Sequence, residues 1–173
     1  MELKIKGLDT LIKKVGGLNE SLQGDCQAAL NDWADRVSLD AKQTLSRKTS
    51  NTGRLANSIT PRYGKLTASV VVSANYAAYI EFGTRKFAAE YVGSLPSEWD
   101  KMAGQSKGSA GGSFHDLLVA IRQWCKDRGI DNKLAYPIAR KIVIKGIRPQ
   151  PYLYPAVTKN NPILLQDIEN IFK

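Results

Sequence analysis

His115 is the only histidine among these 173 residues, so acid–base chemistry has little to draw on. A histidine-based triad would have one candidate base and no evident serine or cysteine partner. His115 also stands where a helix is expected to begin, which suits an exposed or capping residue. Glu98, Asp100 and Lys101 resemble the carboxylate-plus-lysine sets of metal-dependent nucleases. They fall in a glycine-rich stretch, whereas rigid ligand placement is expected on a strand. No Cys/His spacing fits zinc, and no glycine-rich phosphate loop follows a strand. Cys26 and Cys125 lie far apart on apolar helix stripes, the pattern of buried free thiols in a reducing compartment. No catalytic residue, metal ligand or cofactor is therefore expected.

What remains is the chemistry of surfaces. The apolar run from Tyr76 to Ile80 ends on Glu81, Phe82 and Gly83, and reads as a buried element emerging where the chain turns sharply. Lysine and arginine total 25 against 16 acidic residues, a net charge of +9 and a pI near 9.6. Such a balance favours an acidic partner, although a merely soluble basic protein would look the same. One basic group comprises Arg47, Lys48, Arg54, Arg62, Lys65, Arg85 and Lys86; a second comprises Arg140, Lys141, Lys145 and Arg148. Either could meet DNA phosphates without sequence preference, with affinity falling as salt rises. Either could equally be a solvated face or supply ion pairs between subunits. Aromatic residues are not interleaved with the first group, which argues against base stacking.

The elements that would position these residues follow from periodicity. Glu2 to Lys6 alternates as a short strand, and Asp9 caps a brief helix through Val15 that Gly16 and Gly17 stop. Leu18, Leu22, Cys26, Leu30, Trp33, Val37, Ala41 and Leu45 mark one face of a long amphipathic helix reaching Ser46. A polar loop spans 47–51. Ile59–Tyr63 and Leu66–Ser73 form a hairpin about Gly64 and Lys65, with Pro61 placing the first strand at an edge. The stretch 98–113 reads as a glycine-rich loop, or as an arm that orders against a neighbouring subunit. Ser113 and Asp116 make a capping box for a helix that Gly129 closes. A further helix opens at Asp131 or Asn132 and ends at Gly146, with Leu134, Ile138, Ile142 and Val143 inward. Pro149, Pro151 and Pro155 predict an extended or turning segment. Asn161 and Pro162 start a terminal helix with Leu164, Leu165, Ile168 and Phe172 inward. No run of about 18 apolar residues could span a membrane, and the amino terminus lacks a signal core. A chain made and folded in a cytosol is expected.

Four segments stand in a telling order: the Lys4-Ile-Lys-Gly-Leu-Asp9 start, Thr52-Gly-Arg-Leu-Ala-Asn-Ser-Ile59, Tyr76-Ala-Ala-Tyr-Ile-Glu-Phe-Gly-Thr84, and Pro151-Tyr-Leu-Tyr-Pro-Ala156. Together, over most of residues 1–87 and 147–173, they resemble the tailed-phage tail-component family named for gene product ten of a lambdoid phage. The resemblance implies an α+β fold, a long amphipathic helix packed on a small antiparallel sheet, with an inserted helical unit. It implies a single tail-completion-like domain over 1–173, with residues 88–146 inserted as a glycine-rich loop plus two helices. It implies a noncatalytic structural protein, a tail-completion or head–tail joining component of the virion neck, assembled in the host cytoplasm. The expected partners are further copies of the chain in a sixfold ring, a hexamer, and neck proteins such as the connector, stopper or tail terminator. Packaged DNA could be touched nonspecifically; no membrane is involved. Arg54, Glu81, Phe82, Gly83, Thr84, Arg85, Pro149, Pro151 and Tyr152 become the candidate interface, where Glu81 could pair with Arg54 or Arg85 of the same or a neighbouring chain. Arg47, Lys48, Arg62, Lys65, Arg140, Lys141, Lys145 and Arg148 are the candidate phosphate contacts. The alternatives are a nonspecific DNA-binding module and a metal-dependent nuclease.

Overall fold

The computed structural model describes residues 2–4, 20–48, 53–74, 76–106 and 113–173. In chain order its elements are β1 (Glu2–Lys4), α1 (Glu20–Lys48), α2 (Arg54–Asn57), β2 (Ile59–Gly64), β3 (Thr67–Val72), α3 (Ala77–Phe82), α4 (Arg85–Val92), α5 (Ser97–Ser106), α6 (Phe114–Asp127), a 3₁₀ turn (Asn132–Leu134), α7 (Ala135–Lys145) and α8 (Leu153–Ile171). The chain divides into two compact units, one of residues 1–77 with 151–173 and one of residues 78–150. The helix expected from Asp9 to Val15 lies outside the described residues, as do Thr49–Asn51 of the expected loop.

The first unit is α+β, as the resemblance implies, with α1 packed on a three-stranded antiparallel sheet of order β1-β3-β2. Its register pairs Leu3 with Val70, Ile59 with Val72 and Tyr63 with Ala68. The β-branched strand β3 is central, and Pro61 sits on the edge strand β2, where a missing N–H breaks no interior ladder. The turn is one residue later than expected. Gly64 pairs with Thr67 inside the ladder, leaving Lys65 and Leu66 as the loop, with Leu66 at φ 50°. Leu66 tolerates that angle because its N–H is met by Gln27 Oε1 of α1. Side-chain tethering, more than residue preference, places the turn.

Along α1 the predicted stripe is the buried one: Cys26, Leu30, Trp33, Val37, Ala41 and Leu45 are all core. The helix extends past the predicted end, through Lys48. Its second neighbour is α8, held by a polar seam. Trp33 Nε1 donates to Asn161 Oδ1 at 3.0 Å, Arg36 pairs with Asp167 at 2.9 Å, and the buried Asn160 donates to Asp40 at 2.7 Å. Asn160 also donates to the Ala156 carbonyl at 2.8 Å, so burying the amide leaves no donor wasted.

The start of α8 corrects the sequence reading. The helix begins at Leu153, nine residues before Pro162, so only the segment before it is extended. Pro155 is its third residue, where no intrahelical donor is needed. Pro162 lies inside the helix and removes one bond to the Thr158 carbonyl. The loss is offset by a continuous buried stripe of Leu153, Ala156, Val157, Asn160, Leu164 and Ile168. Leu165, expected inward, is 63% exposed because it stands off that stripe, and Phe172, also expected inward, is 40% exposed because it lies past the last helical residue, Ile171.

The second unit is helical. Where a glycine-rich loop was expected after Glu98, α5 runs from Ser97 to Ser106. Glu98 and Asp100 in its first turn suit the positive helix end, and Trp99 and Ala103, four apart, bury one face. Gly104 weakens such a helix by only about 1 kcal/mol. The helix α6 carries the predicted capping box. Ser113 Oγ accepts from the Asp116 N–H at 3.2 Å, and Asp116 Oδ2 accepts from the Ser113 N–H at 2.7 Å. Cys125 is buried and free, as is Cys26. Pro137 occupies the first turn of α7, where its missing N–H breaks no intrahelical bond. The inward residues differ: Ala135 and Ala139 are buried, while Leu134 and Val143 are 50% and 38% exposed. Small residues let α7 approach its neighbours closely, which larger ones on that stripe would prevent.

Candidate interaction site

Gly83 and Gly146 organise the second unit. Gly83 follows α3 at φ 73°, and Gly146 ends α7 at φ 86° and ψ 178°, a conformation open almost only to glycine. Each lies against the backbone of the other segment. A Cβ on Gly83 would stand 2.7 Å from the Ile147 carbonyl oxygen and 2.9 Å from Pro149 N and Cδ. One on Gly146 would stand 2.6 Å from the Thr84 carbonyl oxygen. That close approach brings three cross-segment hydrogen bonds within range. The Thr84 N–H donates to the Ile147 carbonyl at 2.9 Å, the Ile147 N–H donates to Thr84 Oγ1 at 2.8 Å, and the Gln150 N–H donates to the Ile80 carbonyl at 2.7 Å. The two ends of the helical insertion are thus clasped together.

Around the clasp, the Glu81-Phe-Gly83 turn is buried while the neighbouring cations are exposed. Glu81 is wholly buried, Phe82 is 3% exposed and stacks edge-on with Trp99 at 6.3 Å, and Gly83 is buried. The expected emergence at a surface is therefore corrected: the motif stays inside, because Ile147 and Pro149 cover the turn. Beside it is a cavity of about 320 Å³ lined by Ala78, Tyr79, Phe82, Ala88, Val92 and Ala103. Arg85 is exposed and holds φ 56°. Phe87 lies between two cations, with Lys86 Nζ 5.3 Å and the Arg148 guanidinium 5.5 Å from its ring centre. Cation–π attraction gathers Lys86 and Arg148, from the two basic sequence groups, around one ring. The sequence reading missed Phe87 and the pairing of Gly83 with Gly146. A glycine ending one helical pattern and another ending the next was the available signal.

The other predicted residues lie elsewhere. Arg54 is exposed on α2, Arg62 on β2 and Lys65 in the hairpin loop, all in the first unit. Pro149 is half-buried in the clasp; Pro151 is half-buried and Tyr152 fully buried in the first unit. Arg140, Lys141 and Lys145 are exposed on α7. Glu98 and Asp100 are exposed on α5 to either side of the buried Trp99. Among the described residues, no group of three or more His, Cys, Asp or Glu could hold a metal ion. No described helix is long and apolar enough to cross a membrane.

Titratable groups perturbed by the fold serve local structure. Bonds from the Ser113 backbone and hydroxyl hold the Asp116 carboxyl below its ordinary value. Tyr63 is raised, chiefly by donating to Asp35 at 2.6 Å. Burial, helped by the Asp25 charge, pushes the Cys26 thiol up.

The segment from α1 through the clasp glycine has a counterpart in sequence. Residues 9–83 match a phage tail-component family. Its description is bacteriophage HK97-gp10, putative tail-component. The similarity therefore takes in α1, the hairpin and the Tyr-Ile-Glu-Phe-Gly motif, and it stops at Gly83 of the clasp. The carboxyl-terminal proline segment, Pro151 to Ala156, lies beyond the matched residues. No curated protein and no solved structure matches the chain.

Proposed function

We propose that this protein is a noncatalytic structural component of a phage virion, acting in tail completion or head–tail joining in the neck as an oligomeric ring. The observation that carries the reading is the tail-component match over residues 9–83, which ends at Gly83. The chemistry around the clasp agrees with it: backbone hydrogen bonds, a buried aromatic pair and exposed cations suit a rigid docking body. The ring, a hexamer by the symmetry of tails, would present the inserted unit to the neighbouring neck proteins. Removing the gene from its phage tests this. Filled heads and tails that fail to join, or tails of irregular length, are expected by electron microscopy. Infectious virions of normal form lacking the protein would refute it.

A second, compatible role is nonspecific contact with packaged DNA. It is favoured by Lys86 and Arg148 gathering about Phe87 at the clasp, with Arg85 exposed next to Lys86 in sequence. Duplex binding should weaken steeply with salt, and reversing Lys86 and Arg148 should reduce its log–log slope. A slope unchanged by those reversals would remove this role.

A further inference from the structure

The charges of this chain are segregated along its length, and the segregation falls on two exposed helix faces. Residues 132–166 contain no acidic residue but carry Lys133, Arg140, Lys141, Lys145, Arg148 and Lys159. Residues 15–35 contain no basic residue but carry Glu20, Asp25, Asp32 and Asp35. The first stretch includes α7, the second most of α1.

The outer face of α7 is neither plain solvent surface nor core. Tyr136 is 55% exposed, Ile144 62% and Val143 38%, and they follow one another at helical spacing. Arg140, exposed, stands among them, and Lys141 and Lys145 flank them, also exposed. Phe114 of α6, 41% exposed, extends the apolar part by an edge-on contact with Tyr136 at 5.7 Å. A run of large exposed apolar groups rimmed by one sign of charge marks an interaction surface. The outer stripe of α1 is its complement. Asp25, Ala28, Asp32, Asp35 and Leu39 are exposed along one side, Leu39 at 57%; Asp32 also pairs with Arg36 on the same helix and Asp35 accepts from the Tyr63 hydroxyl at 2.6 Å. At 1.5 Å per residue the 11-residue α7 extends about 16 Å, and Asp25 to Leu39 covers about 21 Å, so the shorter face fits within the longer.

We infer that the outer face of α7 docks on the outer stripe of α1 of a second copy of this chain. Arg140, Lys141 and Lys145 meet Asp25, Asp32 and Asp35, while Tyr136 and Ile144 cover the region of Ala28 and Leu39. Two different patches make this contact, so every copy keeps one α7 face and one α1 stripe for further neighbours. Such a head-to-tail interface continues from copy to copy and ends only when a ring closes. The inference rests on the ring reading above and names the surfaces that build it.

A charge exchange on the full-length protein tests it, with mass read by light scattering and native mass spectrometry. Arg140→Glu with Lys141→Glu, and separately Asp25→Lys with Asp35→Lys, should each convert assembled protein to monomer, with helical circular dichroism and melting unchanged. Mixing the two variants should restore assembly, because each supplies the face that the other's reversed face now fits. One chain carrying all four changes should also assemble. Should either paired variant melt early, the four-change chain and the mixture still decide: restored assembly supports the interface, and its absence overturns it. Assembly unaffected by both reversals would overturn this interface while leaving the ring reading intact. A wild-type chain that stays monomeric at concentrations found in assembly extracts would overturn both. Loss of duplex DNA binding in the α7 variant, with self-association untouched, would reassign the face to DNA.

Discussion

Replacing Gly83 by alanine should cost far more than a surface glycine normally does, and the clasp geometry gives the amount. A Cβ at φ 73° costs roughly 1–2 kcal/mol in left-handed backbone strain alone. It would also stand 2.7 Å from the Ile147 oxygen and 2.9 Å from Pro149, both closer than real Cβ contacts come. The two segments must part, weakening the bonds between Thr84 and Ile147, each with a net value of about 1 kcal/mol. The expected total is about 3–4 kcal/mol. Gly129 supplies the control: its φ is 65°, yet a Cβ there meets nothing within 4 Å. Gly129→Ala should cost only the strain portion. Native-state hydrogen exchange of the Thr84 and Ile147 amides, which bond across the clasp, reads the difference directly. Gly146→Ala should resemble Gly83→Ala, and the double variant should cost less than the sum, since both open the same contact. If Gly83→Ala is no worse than Gly129→Ala, close approach is not what requires the glycine.

Gly24→Ala in α1 and Gly104→Ala in α5 should each stabilise by about 0.5–1 kcal/mol, because both helical glycines have open space around them; thermal unfolding checks this through a rise of a few degrees. Ser113→Ala should lose about 1 kcal/mol of α6 stability at neutral pH. Because the folded Asp116 value is lowered, the contribution of its capping bonds is complete above the ordinary carboxylate value and disappears as pH falls through the lowered one. The gap between wild type and Ser113→Ala, measured by urea unfolding, should therefore narrow on acidification; a gap that widens would contradict the capping geometry. Cys26, raised by burial and by Asp25, should react with a thiol-specific reagent at neutral pH more slowly than an exposed thiol, and Asp25→Asn should speed it modestly at alkaline pH.

Local signals were legible wherever neighbours in sequence are also neighbours in space. The stripe from Cys26 to Leu45, the Ser113 capping box and the edge position of Pro61 each follow from a few adjacent residues. Proline and glycine, read locally, misplaced the start of α8 and concealed α5, because burial of one apolar face overrides a break worth a few kcal/mol. The Thr52–Ile59 and Tyr76–Thr84 motifs fall almost wholly within residues 9–83, the segment that matches a phage tail-component family. Composition displayed an excess of positive charge, while the alternation of buried and exposed positions on α1 and α7 determined which charges face outward. The clasp belongs to the tertiary structure alone. Thr84 and Ile147 are 63 residues apart, and nothing short-range in either segment announces that each glycine makes room for the other's backbone.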